Sequence, residues 1–380
     1  MPIDYRIISG DSHVDMTWLP GDLWMSEAPS HLSPIAPRVI ETDSGLRWWA
    51  EGKELGVVGG LAFGFSKPVK ERSRRVTAMT EAGFYEQGRH PTDPDLRLLD
   101  MERDGVDAEV LYGLSATSGQ FQDMELLRFM YGVYYKWAAA FCAAHPGRWA
   151  ALAPIVNYDA GAAAEDLRRA AALGLRGADL SISGSAKPLF HRAWDSVWEA
   201  AEECGIPVSF HSLGLKPRPL DGRDSDDYKA PHENLRSSMF QLGGIESLGG
   251  ILLSGACERY PGLKFVLGES GISWIPFVIE RLDFALNEKR GDFALHLSRK
   301  PSEVWRSNGY STFQDEETVA SVVDLVGEDN IMWGSDYPHP DSVWPESLAA
   351  IRRSLAGLRQ EQSEKIIRNT AGHLYGFLTD

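Results

Sequence analysis

Asp11 and His13 stand one residue apart in GDSHVD, directly after the apolar pair Ile7-Ile8. On a strand, residues two apart project from the same face, so a carboxylate and an imidazole would be aimed together. A divalent metal takes ligands of this kind, and a surface turn uses Asp-Ser just as readily. The pair alone favours the turn. Company raises the metal reading. His211 closes the apolar run PVSFH, Glu269 follows LKFVLG, and Asp336 follows NIMWGS. Taken singly, His211 reads as a hydrogen-bonded core histidine and Asp336 as the start of a turn. Taken together they point elsewhere, because turn residues have no reason to gather at the ends of apolar runs. Asp11, His13, His211 and Asp336 offer imidazoles and carboxylates in equal number, a set that suits one zinc-like divalent ion and leaves a position for water or substrate.

The elements that would position these groups are short apolar runs alternating with helical stretches. Residues 5–10, 106–112, 149–156, 176–182, 207–211, 263–268, 310–313 and 330–334 read as eight strands. Helical patterns cover 124–145, stopped by Pro146-Gly147, then 160–173, 194–204 before Gly205, 316–325 and 361–375, with a further apolar stretch over 239–260. Eight such units are the count of a (β/α)8 TIM barrel, which builds its active site at the C-terminal strand ends. A doubly wound sheet gives a similar string, but no glycine-rich phosphate loop opens a helix after any of these runs. Residues 16–95 hold no clear βα unit. Within them RWWAEGKELGVV reads as a hairpin pivoting on Glu51-Gly52. The basic stretch after it makes Arg72, Arg74 and Arg75 either an anion clamp or a solvated charge run. The chain therefore reads as one metal-dependent barrel domain, residues 1–380, with an insertion after strand 1 capping the barrel mouth.

Bulk properties narrow the partners. A formal net charge of -16 argues against binding nucleic acid or an anionic membrane. The 3 cysteines are odd in number and lack CxxC spacing, which fits a reducing compartment without disulfides. The first residues show no signal-peptide pattern and no apolar run is long enough to span a bilayer, so a cytoplasmic enzyme with a small-molecule substrate is expected. Trp18, Tyr112, Trp274, Trp333, Tyr337 and Trp344 fall near strand ends, as an aromatic mouth for a planar substrate or as core packing; packing is the better reading for Trp333. Trp18, Arg72, Arg75, Trp274, Tyr337 and His339 are the candidate substrate contacts.

DSH after the first strand, PVSFH, LKFVLGESG and IMWGSDYPHP resemble the amidohydrolase-related superfamily, and within it the branch of aminocarboxymuconate semialdehyde decarboxylase and γ-resorcylate decarboxylase. MERDGVDAEVL, PLFHRAWDSVWEAAEECGIPVSFH, LLSGACERYPGLKFVLGESGISWIPFVIERLD and RKPSEVW extend the resemblance over residues 5–15 and most of 95–376. It implies a (β/α)8 barrel holding one divalent metal, zinc in most relatives and manganese in some, with ligands on Asp11, His13, His211 and Asp336. Members of the branch commonly pair as homodimers. The branch usually carries a histidine where Glu269 stands. A glutamate cannot hold a substrate carboxylate by positive charge, but it serves as a base or orients metal-bound water. That departure turns the expectation toward hydrolysis of an amide, ester or lactone, with Asp336, Glu269 and His211 as the catalytic groups. Non-oxidative decarboxylation of an aromatic or unsaturated acid is the alternative, with Asp336 handling the proton at carbon. Hydration of a double bond comes third, and a non-catalytic metal-binding barrel last.

Overall fold

The computed structural model describes residues 3–59, 90–114, 119–211, 218–221, 225–288, 294–339 and 341–379. Strands β1 (Ile8–His13), β5 (Ala108–Tyr112), β6 (Trp149–Ile155), β7 (Gly177–Leu180), β8 (Val208–His211), β9 (Phe265–Gly268), β10 (Gly309–Phe313) and β11 (Ile331–Trp333) form one sheet in that order. Neighbours in this sheet pair in parallel. The segment after β11 brings it back to β1: Asp336 N donates to Asp11 O at 2.9 Å, and His13 N donates to Tyr337 O at 2.6 Å. The result is a nearly closed (β/α)8 barrel, as the run of apolar strands and helices implied.

The strands are apolar almost throughout because a barrel wall is buried on both faces. AEVLY and FVLG have no exposed position. Inward side chains Ile8, Ala108, Val110, Tyr112, Ala150, Leu152, Val266 and Met332 fill the barrel, and a second apolar layer lies between strands and helices. Each large aliphatic side chain buried this way contributes about 1.5–3 kcal/mol. The helices start where polar caps allow. Asp93, Asp123 and Asp159 accept backbone N–H groups at the heads of Pro94–Asp104, Met124–Ala144 and Ala160–Ala172.

Two boundaries differ from the expectation. Strand β1 starts at Ile8 and runs through His13, so Asp11 and His13 lie in the strand. Arg6 N and Ile7 N donate instead to the Asp107 carboxylate, at 2.7 and 3.0 Å, which keeps residues 6 and 7 out of the ladder. The expected last helix is broken by a π-helical turn at Lys365–Asn369.

Between His13 and Pro94 the described residues hold a three-stranded antiparallel sheet, β2 (Arg38–Thr42), β3 (Gly45–Ala50) and β4 (Lys53–Val57). The expected hairpin is β3–β4. Glu51 at φ 49° and Gly52 at φ 74° make its turn, the left-handed pair that suits the twist of a two-residue hairpin. Arg72 and Arg75 lie outside the described residues. No helix among the described residues is long and apolar enough to cross a membrane.

Candidate metal centre

Four side chains meet at the C-terminal end of the barrel. Asp11 and His13 come from β1, His211 is the last residue of β8, and Asp336 follows β11. One ligating atom of each lies within 4.8 Å of all the others. His13 Nε2 is 2.9 Å from Asp336 Oδ1 and 3.4 Å from Asp11 Oδ1, and His211 Nε2 is 3.7 Å from Asp11 Oδ1. Glu269, directly after β9, puts Oε2 3.8 Å from His211 Nε2.

The surroundings aim these groups. Asp11 Oδ2 accepts from Glu269 N at 2.8 Å and Thr312 Oγ1 at 2.7 Å, so Oδ1 is left to face the cluster. Gly334 lets β1 approach: a Cβ there would stand 2.5 Å from Asp11 Cβ and 3.0 Å from Asp11 N. Arg97, fully buried, donates to His13 O at 2.8 Å while its Nε pairs with Glu109 at 2.7 Å. The Tyr112 ring lies 4.8 Å from the His211 ring and holds it edge-on.

Asp11 Oδ1, His13 Nε2 and Asp336 Oδ1 are buried and make no hydrogen bond of standard geometry, although they lie close to one another. Buried polar atoms are rarely left in that state. Converging nitrogen and oxygen donors with unused lone pairs fit a divalent cation, which would satisfy all of them at once. The two aspartates lean toward the charged form that a cation needs. Burial opposes the charge on Asp11, yet the adjoining His13 and His211 win and hold its carboxyl well below the usual range. Burial likewise opposes the charge on Asp336, and His339 and His13 outweigh it. Glu269 goes the other way. Burial, then the carboxylates of Asp336, Asp341 and Asp11, push it well above an ordinary glutamate, against the opposing pull of His339.

The remaining sequence candidates scatter. His339 is buried behind Asp336, its ring stacked 3.8 Å from His13. Tyr337 is buried and donates its hydroxyl to Asp100 Oδ2 at 2.6 Å, away from the cluster. Trp18 is buried, while Trp274 is half-buried with its indole N–H on Ser270 O. Trp333 is core, as expected, and Trp344 donates to Asp100 O at 3.1 Å. Sequence reading missed Asp15 and Thr312. Asp15 had a signal, since Asp11, His13 and Asp15 continue one alternation; Thr312 sits inside a weak strand and had none.

A family model described as Amidohydrolase matches residues 30–377. Among curated proteins the chain is similar to the 2-amino-3-carboxymuconate-6-semialdehyde decarboxylase of Dictyostelium discoideum, 26% identical over 260 residues, covering 65% of this chain and 67% of that protein. It is also similar to the γ-resorcylate decarboxylase of Rhodococcus jostii, 26% identical over 212 residues, covering 52% of this chain and 62% of that protein's length. Among solved structures, 5-carboxyvanillate decarboxylase of Novosphingobium aromaticivorans, complexed with manganese and 4-hydroxy-3-methoxy-5-nitrobenzoic acid, aligns with a TM-score of 0.68 at 18% identity, over 98% of this chain and 96% of that one. That likeness shows the fold.

These relatives overturn the expectation of hydrolysis at an amide, ester or lactone: they are decarboxylases. The physical reason lies in Glu269. Hydrolysis was inferred because a glutamate cannot hold a substrate carboxylate by positive charge. Burial and neighbouring carboxylates push its carboxyl well above an ordinary glutamate, toward the uncharged form that does not repel a substrate carboxylate. Metal-binding residues of this composition carry no preference of their own between activating water and orienting an acid.

Proposed function

The chain belongs to the amidohydrolase family, and from that premise we propose that it is a metal-dependent carboxy-lyase that releases CO2, without oxidation, from a small aromatic or unsaturated acid. The observation that carries this reading is the convergence of Asp11, His13, His211 and Asp336 in a chain whose similar curated relatives are decarboxylases. These residues would hold one divalent ion. Manganese is the better match, because half the donors are hard carboxylate oxygens and the Novosphingobium decarboxylase is complexed with manganese. When bound, the ion supplies a Lewis-acid centre that orients a substrate carboxylate and withdraws charge from it.

The chain's own residues divide the rest of the work. The Asp336 carboxylate takes the proton of a substrate hydroxyl beside the carboxylate and returns it to the carbon that bears the carboxylate. The C–C bond then breaks, CO2 leaves, and the bonding pair stays with the ring. Solvent restores the hydroxyl proton, so the balance is one carboxylate and one proton in, one CO2 and one C–H bond out. Glu269, whose carboxyl is pushed well above the usual range by burial and neighbouring carboxylates, would donate a hydrogen bond to the substrate carboxylate.

We read the whole chain as one barrel domain whose excursion 16–95 covers the mouth. Its support is contact with the barrel's own segments: Trp24 Nε1 donates to Met130 O at 3.1 Å, and Gln122 N and Asp123 N donate to Glu51 Oε1 at 2.9 and 2.6 Å. These bonds tie the excursion to the helix Met124–Ala144 and the residues that lead into it.

The test is a product assay on the manganese-loaded full chain, with hydroxybenzoic acids, methoxylated phenol acids and unsaturated amino acids bearing a second carboxylate. CO2 and the matching decarboxylated product are expected from at least one class. Intact acids throughout, beside cleavage of esters or lactones by the same preparation, would overturn the reading.

A further inference from the structure

Behind the proposed metal ligands lies a second pair, Asp15 and His339, that neither approaches the barrel mouth nor belongs to the ligand set. Both are buried, at 4% and 1% exposure. His339 Nε2 is hydrogen-bonded to Asp15 Oδ2 at 3.1 Å. Its Nδ1 lies 3.2 Å from Asp336 Oδ2, and its ring is stacked 3.8 Å from the ring of His13 at 26°. One side chain thus touches two of the four converging residues, on the side away from the cluster centre. The opposite oxygen of Asp336 is the one that faces His13 Nε2, at 2.9 Å. The His339 ring therefore stands against Oδ2 of Asp336 while Oδ1 faces the cluster. Asp15 belongs to the strand-end segment after His13 and His339 to the segment after β11, so their bond also crosses the seam of the barrel.

We infer that His339, anchored by Asp15, is a positioning residue that fixes the Asp336 carboxylate and the His13 ring in the orientation that receives the metal. The inference rests on the metal centre proposed above and adds a role that its ligands do not include. Groups that orient ligands from behind typically change metal affinity by about 10–100-fold when removed. A merely structural contact would change thermal stability and leave the metal environment alone.

The experiment uses the full chain stripped with chelator and reloaded with Mn2+, or with Co2+ as a spectroscopic probe, in wild type, His339→Asn and Asp15→Asn. Asp15→Asn keeps shape and removes only charge, so it decides the matter if His339→Asn fails to fold. Both variants are expected to bind one Mn2+ per chain at about 10–100-fold higher Kd, with a shifted Co2+ absorption band and a lower kcat at little-changed KM. A folded Asp15→Asn protein with wild-type Mn2+ affinity and an unaltered Co2+ band would overturn the inference and leave the metal centre standing. A wild type that takes up no metal at all would overturn the metal centre and the inference with it.

Discussion

Asp336 stands at φ 59° and Glu269 at φ 46°, left-handed backbone conformations that cost a residue with a side chain about 1–3 kcal/mol. Among the described residues only Glu51, in the hairpin turn, joins them. Strain held at two carboxylates facing one cluster is the signature of positions whose side-chain direction matters more than local comfort. Asp336→Asn keeps that shape and removes the proton carrier. It is expected to fold, to melt near the wild-type temperature and to lose at least about 1,000-fold in kcat; retention of a tenth of the wild-type rate would remove Asp336 from the proton transfer. Glu269→Gln keeps a hydrogen-bond donor and loses the acid, so a loss of about tenfold in kcat/KM with metal content intact is expected. Unchanged kinetics there would make Glu269 structural.

At this scale the sequence was informative where residues ended apolar runs. Asp11, His13, His211, Glu269 and Asp336 each closed or followed one, and the barrel brings them together. It was silent where the direction of a side chain depended on a distant partner. Tyr337 follows Asp336 in the chain, yet its hydroxyl reaches Asp100, 237 positions away. His339 finds Asp15 across 324 positions.

Elements carry the site by approaching one another closely, as Gly334, just after β11, does against β1. Gly334→Ala would force a Cβ to within 2.5 Å of Asp11 Cβ. Overpacking of this kind costs about 1–3 kcal/mol, and the shift falls on a proposed metal ligand. The variant is expected to unfold at lower urea concentration and to bind Mn2+ more weakly; loss of stability with metal affinity intact would show that β1 moves without disturbing Asp11.

A second element contact is pH-dependent. Asp104, at the end of helix Pro94–Asp104, accepts from Ser347 N at 2.9 Å and Ser347 Oγ at 2.5 Å, at the head of helix Ser347–Ser354. Burial pushes its carboxyl up to about 6, against the pull of the Ser347 bonds, with Glu109 and Asp100 adding to the rise. A raised pKa means that the folded state holds the proton more tightly than the unfolded chain. The stabilisation is full below the ordinary 3.8 and is lost as pH rises through about 6. Between about pH 4 and 7, wild type should therefore lose up to about 3 kcal/mol relative to Asp104→Asn. Urea unfolding of both proteins across that range checks it, and a constant difference would refute the raised pKa.

Element identity was legible because buried parallel strands are apolar on both faces and stand out against amphipathic helices. All eight barrel strands overlap the stretches read from the sequence. Boundaries and short elements were less so. Strand β2 has no buried position, so its sequence carried no apolar alternation. Helix Ser225–Ser238 contains Pro231, a residue that ordinarily argues against a helix interior.

For the whole molecule, the barrel gathers Asp11, His13, His211 and Asp336 at one end of a chain with net charge -16. The acid substrate proposed for so acidic a protein needs positive charge where it binds, and a divalent ion held by two carboxylates and two imidazoles would supply it. Fold and metal chemistry follow from strand-end composition. Reaction type did not, because the same strand-end residues suit either the activation of water or the orientation of an acid, and it is the similarity to decarboxylases that favours the second. The most direct measurement is CO2 release from an accepted hydroxybenzoic acid by chelator-stripped protein titrated with Mn2+, in wild type and His211→Ala. The expected result is a rate that rises from background to a plateau at about one equivalent per chain in wild type and stays at background in His211→Ala. Full activity in the stripped protein, or an equal rate in His211→Ala, would contradict a metal-dependent decarboxylase centred on these residues.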